Sequence, residues 1–192
     1  LKGANIYGVS LEPAEGQTIY NSAKINECLK ENVILDIRNY GKLYEYVKKI
    51  GPDIIFHFAA QAIVGNSYQN PIETYSTNIM GTINLFESIR SLKTVKCIIN
   101  VTSDKCYQNK ESIYGYREDD TLDGSDPYSN SKSCVELISN TYRKSFFDKK
   151  QISLVTVRAG NVIGGGDCSP FRLLPDIFRG IDSKNNVNIR SL

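Results

Sequence analysis

Short apolar runs alternate with longer amphipathic stretches along this chain, and that alternation constrains the fold more than any other feature. Residues 5–10, 32–37, 53–58, 96–102 and 152–158 have strand length and are rich in Ile, Val and Phe. Ile54 to Phe58 is apolar but for His57, the pattern of a strand covered on both faces. Between these runs the period changes. Leu43, Val47 and Ile50 share one face of a helix predicted over 39–51, with Gly51 as its stop. Asn70, Pro71 and Glu73 suit the cap and first turn of a second helix, in which Ile72, Tyr75, Ile79, Ile83 and Phe86 recur at helical spacing. Asp126-Pro127 repeats that start for a helix running to about residue 147, and 170–180 reads as a short one. Strands alternating with helices argue for an α/β domain, a doubly wound parallel sheet of Rossmann type.

Ligands of such sheets bind beyond the carboxyl ends of the strands. That rule selects Asp36, Ala59-Ala60-Gln61, Thr102-Ser103-Asp104-Lys105 and Ala159-Gly160-Asn161, which all follow predicted strands and should line one crevice. Tyr128 and Lys132, four residues apart, lie one turn apart on one helix face. A free phenol titrates near 10, too high for a base at neutral pH, and an adjacent ammonium lowers that value. The pair suits removal of a hydroxyl proton while a nicotinamide accepts the hydride.

Composition narrows the alternatives. The 192 residues amount to roughly one domain. A formal net charge of +2 offers nothing for nucleic acid or an acidic membrane surface. Five scattered cysteines without a CxxC pair, and a single histidine, predict no metal site and reduced thiols in a cytoplasmic protein. The longest apolar run, residues 54–60, is too short to cross a membrane. The chain opens on Leu1, has one methionine, Met80, and ends within a strand-like run at 186–190; we expect it to be the middle of a longer protein.

Several strings extend the argument. They are His57-Phe-Ala-Ala-Gln61, Ser67-Tyr68 with Pro71, Glu73-Thr74, Thr77-Asn78, Gly81-Thr82, Thr102-Ser-Asp-Lys-Cys-Tyr107, Gly115-Tyr-Arg-Glu118, Asp126-Pro-Tyr-Ser129 with Lys132, and Ala159-Gly-Asn-Val-Ile-Gly-Gly-Gly-Asp167. In them the chain resembles the nucleotide-sugar 4,6-dehydratases of the extended short-chain dehydrogenase/reductase family, over essentially its whole length. Ser103-Asp104-Lys105 stands where the dTDP-glucose members have Thr-Asp-Glu. The resemblance therefore implies CDP-glucose as substrate, converted with NAD to the 4-keto-6-deoxy sugar and water for deoxysugar and surface-polysaccharide (O-antigen) synthesis.

By that resemblance Tyr128 is the base at C4 and Lys132 its partner, binding also the nicotinamide ribose. Ser103 orients the C4 oxygen, Asp104 protonates the leaving C6 hydroxyl, and Lys105 takes the base position at C5. A lysine base must be neutral, which calls for burial or a cationic neighbour. Asp36 and Ile37 would contact adenine. Ala59, Ala60, Gln61, Thr102 and Ala159 would line the cofactor, and Asn161 and Arg172 the substrate, the latter at its diphosphate. A homodimer through the helices after Asn70 and Asp126 is implied for the full-length protein.

Departures accompany the likeness. Ala62 and Gly65 stand where the family has Pro and Arg, and Cys168 where it has an aromatic. A dinucleotide fold begins with a strand and a GxxGxxG turn. Gly3 and Gly8 do not fit that pattern, so the sheet is expected to lack its first strand, which would lie between 5–10 and 53–58. Residues 1–181 then read as a partial NAD-binding domain and 182–192 as the start of a substrate-binding lobe. Bland alternatives stand beside these roles: His57 as a packed residue, 36–38 as a solvated turn, 164–166 as a loop needing positive φ, Arg172 as a surface charge. An epimerase of the same family, or an inactive binding protein on this scaffold, are the rival functions.

Overall fold

The computed structural model describes residues 3–13, 18–184 and 186–187. These fall into two compact units, one within 1–34 and 162–192, the other 35–161.

In the first unit β1 (Tyr7–Ser10) pairs in parallel with β2 (Glu31–Ile34), in a register running from Tyr7 opposite Glu31 to Ser10 opposite Ile34. Two single-turn helices, α1 (Ile19–Ser22) and α2 (Ile25–Cys28), fill the connection, and the Thr18 hydroxyl caps α1 by accepting from Asn21 N at 3.2 Å. The helix predicted at 170–180 forms three residues later, as Leu173–Ser183. Arg172 is still extended there, with φ −114° and ψ 136°. The strand-like run at 186–190 lies largely outside the described residues.

The second unit opens with α3 (Tyr40–Ile50). Asn39 caps it by accepting from Lys42 N, and Gly51 ends it at φ 57°, the left-handed stop expected of glycine. Then come β3 (Ile54–His57), α4 (Val64–Gln69), α5 (Pro71–Tyr75), a π-helical turn (Ser76–Met80) and α6 (Gly81–Arg90). Asn70 stands at the start of α5 as expected but does not cap it: it also closes α4, and its amide donates to Asn66 Oδ1 at 3.0 Å. After β4 (Cys97–Val101) and a 3₁₀ turn (Asp104–Cys106), α7 (Pro127–Tyr142) starts at Asp126, whose carboxylate accepts from Ser129 N at 2.9 Å. It runs on through a second π turn (Arg143–Phe147) before β5 (Ser153–Val157); the helix of the first unit is α8.

Strands β3, β4 and β5 pair in that order, all parallel. Both crossovers run the same way along the sheet, and crossovers of one hand deliver their helices to one face. On that face His57 meets Thr82 of α6, Asn100 meets Ser139 of α7, and Ile98 and Leu154 are buried. Phe86 and Phe147 close the core edge to face, 5.8 Å apart. The opposite face is open: Ile54, Phe56, Val155 and Val157 are 43–58% exposed. The apolar outer side chains of β3 thus stand uncovered among the described residues. Among the described strands, β1 pairs only with β2 and β3 only with β4.

Candidate active site

Parallel pairing brings the carboxyl ends of β3, β4 and β5 to one edge, so 58–61, 102–105 and 158–161 emerge side by side. Helix α7 grips the middle loop at three successive points. Lys132 Nζ donates to Val101 O at 3.2 Å, the Thr102 hydroxyl donates to Glu136, and the Ser133 hydroxyl donates to Cys106 O at 2.8 Å. The period of the helix causes this, since 132, 133 and 136 share one face. Tyr128, a turn before Lys132, is 8% exposed and Lys132 6%.

Within the loop, Ser103 Oγ accepts from Lys105 N at 3.2 Å and donates to Asp104 Oδ1 at 3.2 Å. Asp104 N donates to Ala159 O at 3.0 Å, and Thr102 N to Val157 O at 2.9 Å, which sews the β4 loop to β5. A methyl built on Gly160 would stand 3.4 Å from Asp104 Oδ2. Ser103 is buried, whereas Asp104, Lys105 and Asn161 are exposed toward any ligand. Lys105 thus lacks the burial that a lysine base requires in the free chain.

Burial pushes the Lys132 ammonium down to about 8, and the nearby Glu136 carboxylate opposes that fall. His57 is pushed down to about 4, first by burial and then by the Lys132 charge. Since the Thr82 hydroxyl donates to Asn78 O at 2.6 Å, it accepts from His57 Nε2 at 3.0 Å, so the neutral imidazole carries its proton on Nε2. His57 is a packed, satisfied residue, as the bland reading held. Burial likewise pushes the Cys106 thiol up to about 11, where it is unreactive at neutral pH.

The loop after β3 is held from the π turn and α7. Gln61 N donates to Asn78 Oδ1 at 2.8 Å, while Asn78 Nδ2 donates to Gln61 O and to Ser131 Oγ at 2.8 Å. Ala59 and Ala60 precede it as small, half-buried residues. At the start of this unit, Asp36 and Ile37 are fixed by neighbours. Asn84 Nδ2 donates to Ile37 O and Arg38 O, both at 3.0 Å. A Cβ on Gly81 would fall 2.4 Å from Ile37 Cδ1, so a side chain there would displace Ile37. The Arg38 guanidinium clamps the Asp36 carboxylate through Nε and Nη2, and this hydrogen bonding holds the carboxyl below its ordinary value.

Arg172 belongs to the other unit, where it pairs with Asp167 at 3.3 Å. Burial raises the Asp167 carboxyl, but the Ser169 N–H and Arg172 outweigh it and hold the group low. Among the described residues no cluster of His, Cys, Asp and Glu is able to hold a metal, and no helix is long and apolar enough to cross a membrane. Sequence reasoning gave no role to Glu136, and it quoted Asn78 in the Thr77-Asn78 string without assigning it one.

A tyrosine–lysine helix thus grips a Ser-Asp-Lys loop at the carboxyl edge of a parallel sheet, the edge at which Rossmann-type sheets bind their ligands. The chain belongs to the GDP-mannose 4,6-dehydratase family, whose profile matches residues 2–166. It is 44% identical, over 98% of its length, to CDP-glucose 4,6-dehydratase of Salmonella typhimurium, covering 54% of that protein. It is 30% identical to UDP-glucose 4-epimerase of Mycoplasma genitalium, over 77% of this chain and 45% of that one. A double mutant of the dTDP-glucose 4,6-dehydratase DesIV of Streptomyces venezuelae, solved with NAD, superposes with a TM-score of 0.82 at 23% identity, covering 96% of this chain and 55% of that one. The chain spans about half the length of the relatives it matches.

Proposed function

We propose that this chain carries the catalytic half of a CDP-glucose 4,6-dehydratase, a hydro-lyase that uses NAD and forms the 4-keto-6-deoxy sugar. The carrying observation is the grip of the Tyr128–Lys132 helix on the Ser103-Asp104-Lys105 loop. It is supported by 44% identity to a protein of that activity across the same residues.

The residues present suit both ends of the dinucleotide. A buried lysine is available for the nicotinamide ribose, small Ala59 and Ala60 allow close backbone approach, and Asp36 with Ile37 forms a turn braced by Asn84. Gln61, Thr102 and Ala159 complete the lining. When bound, NAD supplies the hydride acceptor for C4 and the hydride that returns to C6. Tyr128 takes the C4 hydroxyl proton, with Lys132 favouring its phenolate. Ser103, buried and already oriented by Asp104 and the Lys105 amide, hydrogen-bonds the C4 oxygen. Asp104 gives a proton to the departing C6 hydroxyl. Lys105 removes the C5 proton. Asn161 hydrogen-bonds the sugar. A homodimer through α5–α6 and α7 is supported by exposed Ile72, Met80 and Leu137 on these helices. Five free thiols fit a cytoplasmic protein of deoxysugar and surface-polysaccharide synthesis.

The test is product analysis. Extended to the length of its relatives, the protein should convert CDP-glucose to a 4-keto-6-deoxy product that absorbs in alkali. A 4-epimer instead would make it an epimerase, and no turnover would make it a binding protein. Tyr128→Phe should lower turnover about a thousandfold, and unchanged turnover would sink the mechanism. We expect the 192-residue chain alone to bind NAD weakly and turn over little, since it holds no glycine-rich pyrophosphate turn. Full activity from it with CDP-glucose and NAD would overturn that expectation.

A further inference from the structure

Glu136 is a charged side chain that none of the proposed chemistry uses, and it is 6% exposed. A carboxylate so buried is costly unless its oxygens are satisfied. Its Oε1 accepts from the Thr102 hydroxyl, and its Oε2 accepts from Thr156 Oγ1 at 3.0 Å and Arg158 Nη2 at 2.9 Å. Those donors come from the end of β4 and from β5, so one group on α7 ties together the two strands from which the reactive loops emerge. Thr102 immediately precedes Ser103-Asp104-Lys105. One turn back along the helix stands Lys132, whose own Nζ bonds the carbonyl just before Thr102.

The charges around Glu136 are distinct. Lys132 on α7, Arg143 in the π turn that follows it and Arg158 beyond β5 are the cations; the Cys106 thiol and Asp104 in the β4 loop, Tyr107, Tyr116 and Glu118 further along the chain, and His57 on β3 are the other titratable groups near it. Arg158 is occupied elsewhere as well, donating to Glu118 O at 3.0 Å and stacking 4.8 Å over the Tyr107 ring. A glutamine at 136 would keep the shape and most of the hydrogen bonds but not the charge.

We propose that Glu136 is the positioning residue of this site: through Thr102, Thr156 and Arg158 its carboxylate locks the Ser103-Asp104-Lys105 loop to the helix bearing Tyr128, one turn from Lys132. The inference rests on the dehydratase reading for its consequence, since a neutral Lys132 no longer activates Tyr128. Its test needs no substrate, and so fails separately from that reading.

The Lys132 side chain is titrated by ¹³C NMR at Cε in wild type, Glu136→Gln and Arg158→Gln, with Lys132→Arg to assign the signal. In Glu136→Gln the midpoint falls by about one pH unit, because an opposing charge is lost in a buried setting. A merely structural role predicts the opposite: a loosened helix hydrates Lys132 and raises its midpoint. An unchanged or raised midpoint overturns the proposal. In Arg158→Gln a competing cation is removed and the midpoint rises while amide protection along α7 is retained. This second variant decides the matter if Glu136→Gln fails to fold. No rise, or a rise only with protection lost, overturns it.

Discussion

His57, the chain's one histidine, sits with its Nε2–H on Thr82 and its pKa depressed to about 4. A depressed histidine is neutral in the native state and binds its proton more readily when unfolded. Its contribution is therefore complete above about pH 6.5 and is lost as pH falls from there through 4. The size is about 3 kcal/mol. Urea titrations between pH 7 and 4 should show that loss, and His57→Gln should flatten it; an unaltered slope would remove His57 as the cause. Tyr128, Lys132, Ser103 and Asp104 were legible at this scale because their spacing and place after a strand carry chemistry. Glu136 was not, because a glutamate on a helix reads as solvated until the fold buries it. Nor was Arg38, whose clamp on Asp36 depends on the bend of the 36–38 turn.

Helix α7 is the element on which the site depends, and its first turn is the sensitive part. A Cβ on Gly124 would lie 2.1 Å from Asn130 N and 2.2 Å from Ser129 C, both backbone atoms that cannot move aside singly. Gly124→Ala should therefore displace the turn that carries Tyr128 and cost at least about 2 kcal/mol in urea denaturation; a neutral result would show that the loop at 121–126 yields instead. The start of this helix was plain from Asp126-Pro127, because capping is local chemistry. The failed cap at Asn70 shows the limit of such local rules. An N-cap serves when the preceding chain is free, and here α4 ends on the same residue and takes its side chain. The π turn at Ser76–Met80 was illegible in the helical period, yet it carries Asn78, which joins the β3 loop to α7 through Gln61 and Ser131.

For the whole molecule the open face of β3–β4–β5 decides behaviour in solution. Phe56 and Phe58 stack with centroids 6.0 Å apart and are 58% and 68% exposed. So much uncovered apolar surface predicts concentration-dependent association of the 192-residue chain. Sedimentation velocity should show it, and Phe56→Ser with Phe58→Ser should reduce it; a monomer at every concentration would contradict the reading. By itself the sequence determined the alternation of strands and helices, the parallel pairing, and the residues at the strand ends, because periodicity, capping and short motifs are properties of neighbouring residues. The tertiary structure alone decided which face of the sheet is covered, where Glu136 lies, and which charges Lys132 feels. Those depend on burial and on contacts between residues far apart in the chain, from Thr102 to Glu136 and from His57 to Thr82, and no local pattern encodes them.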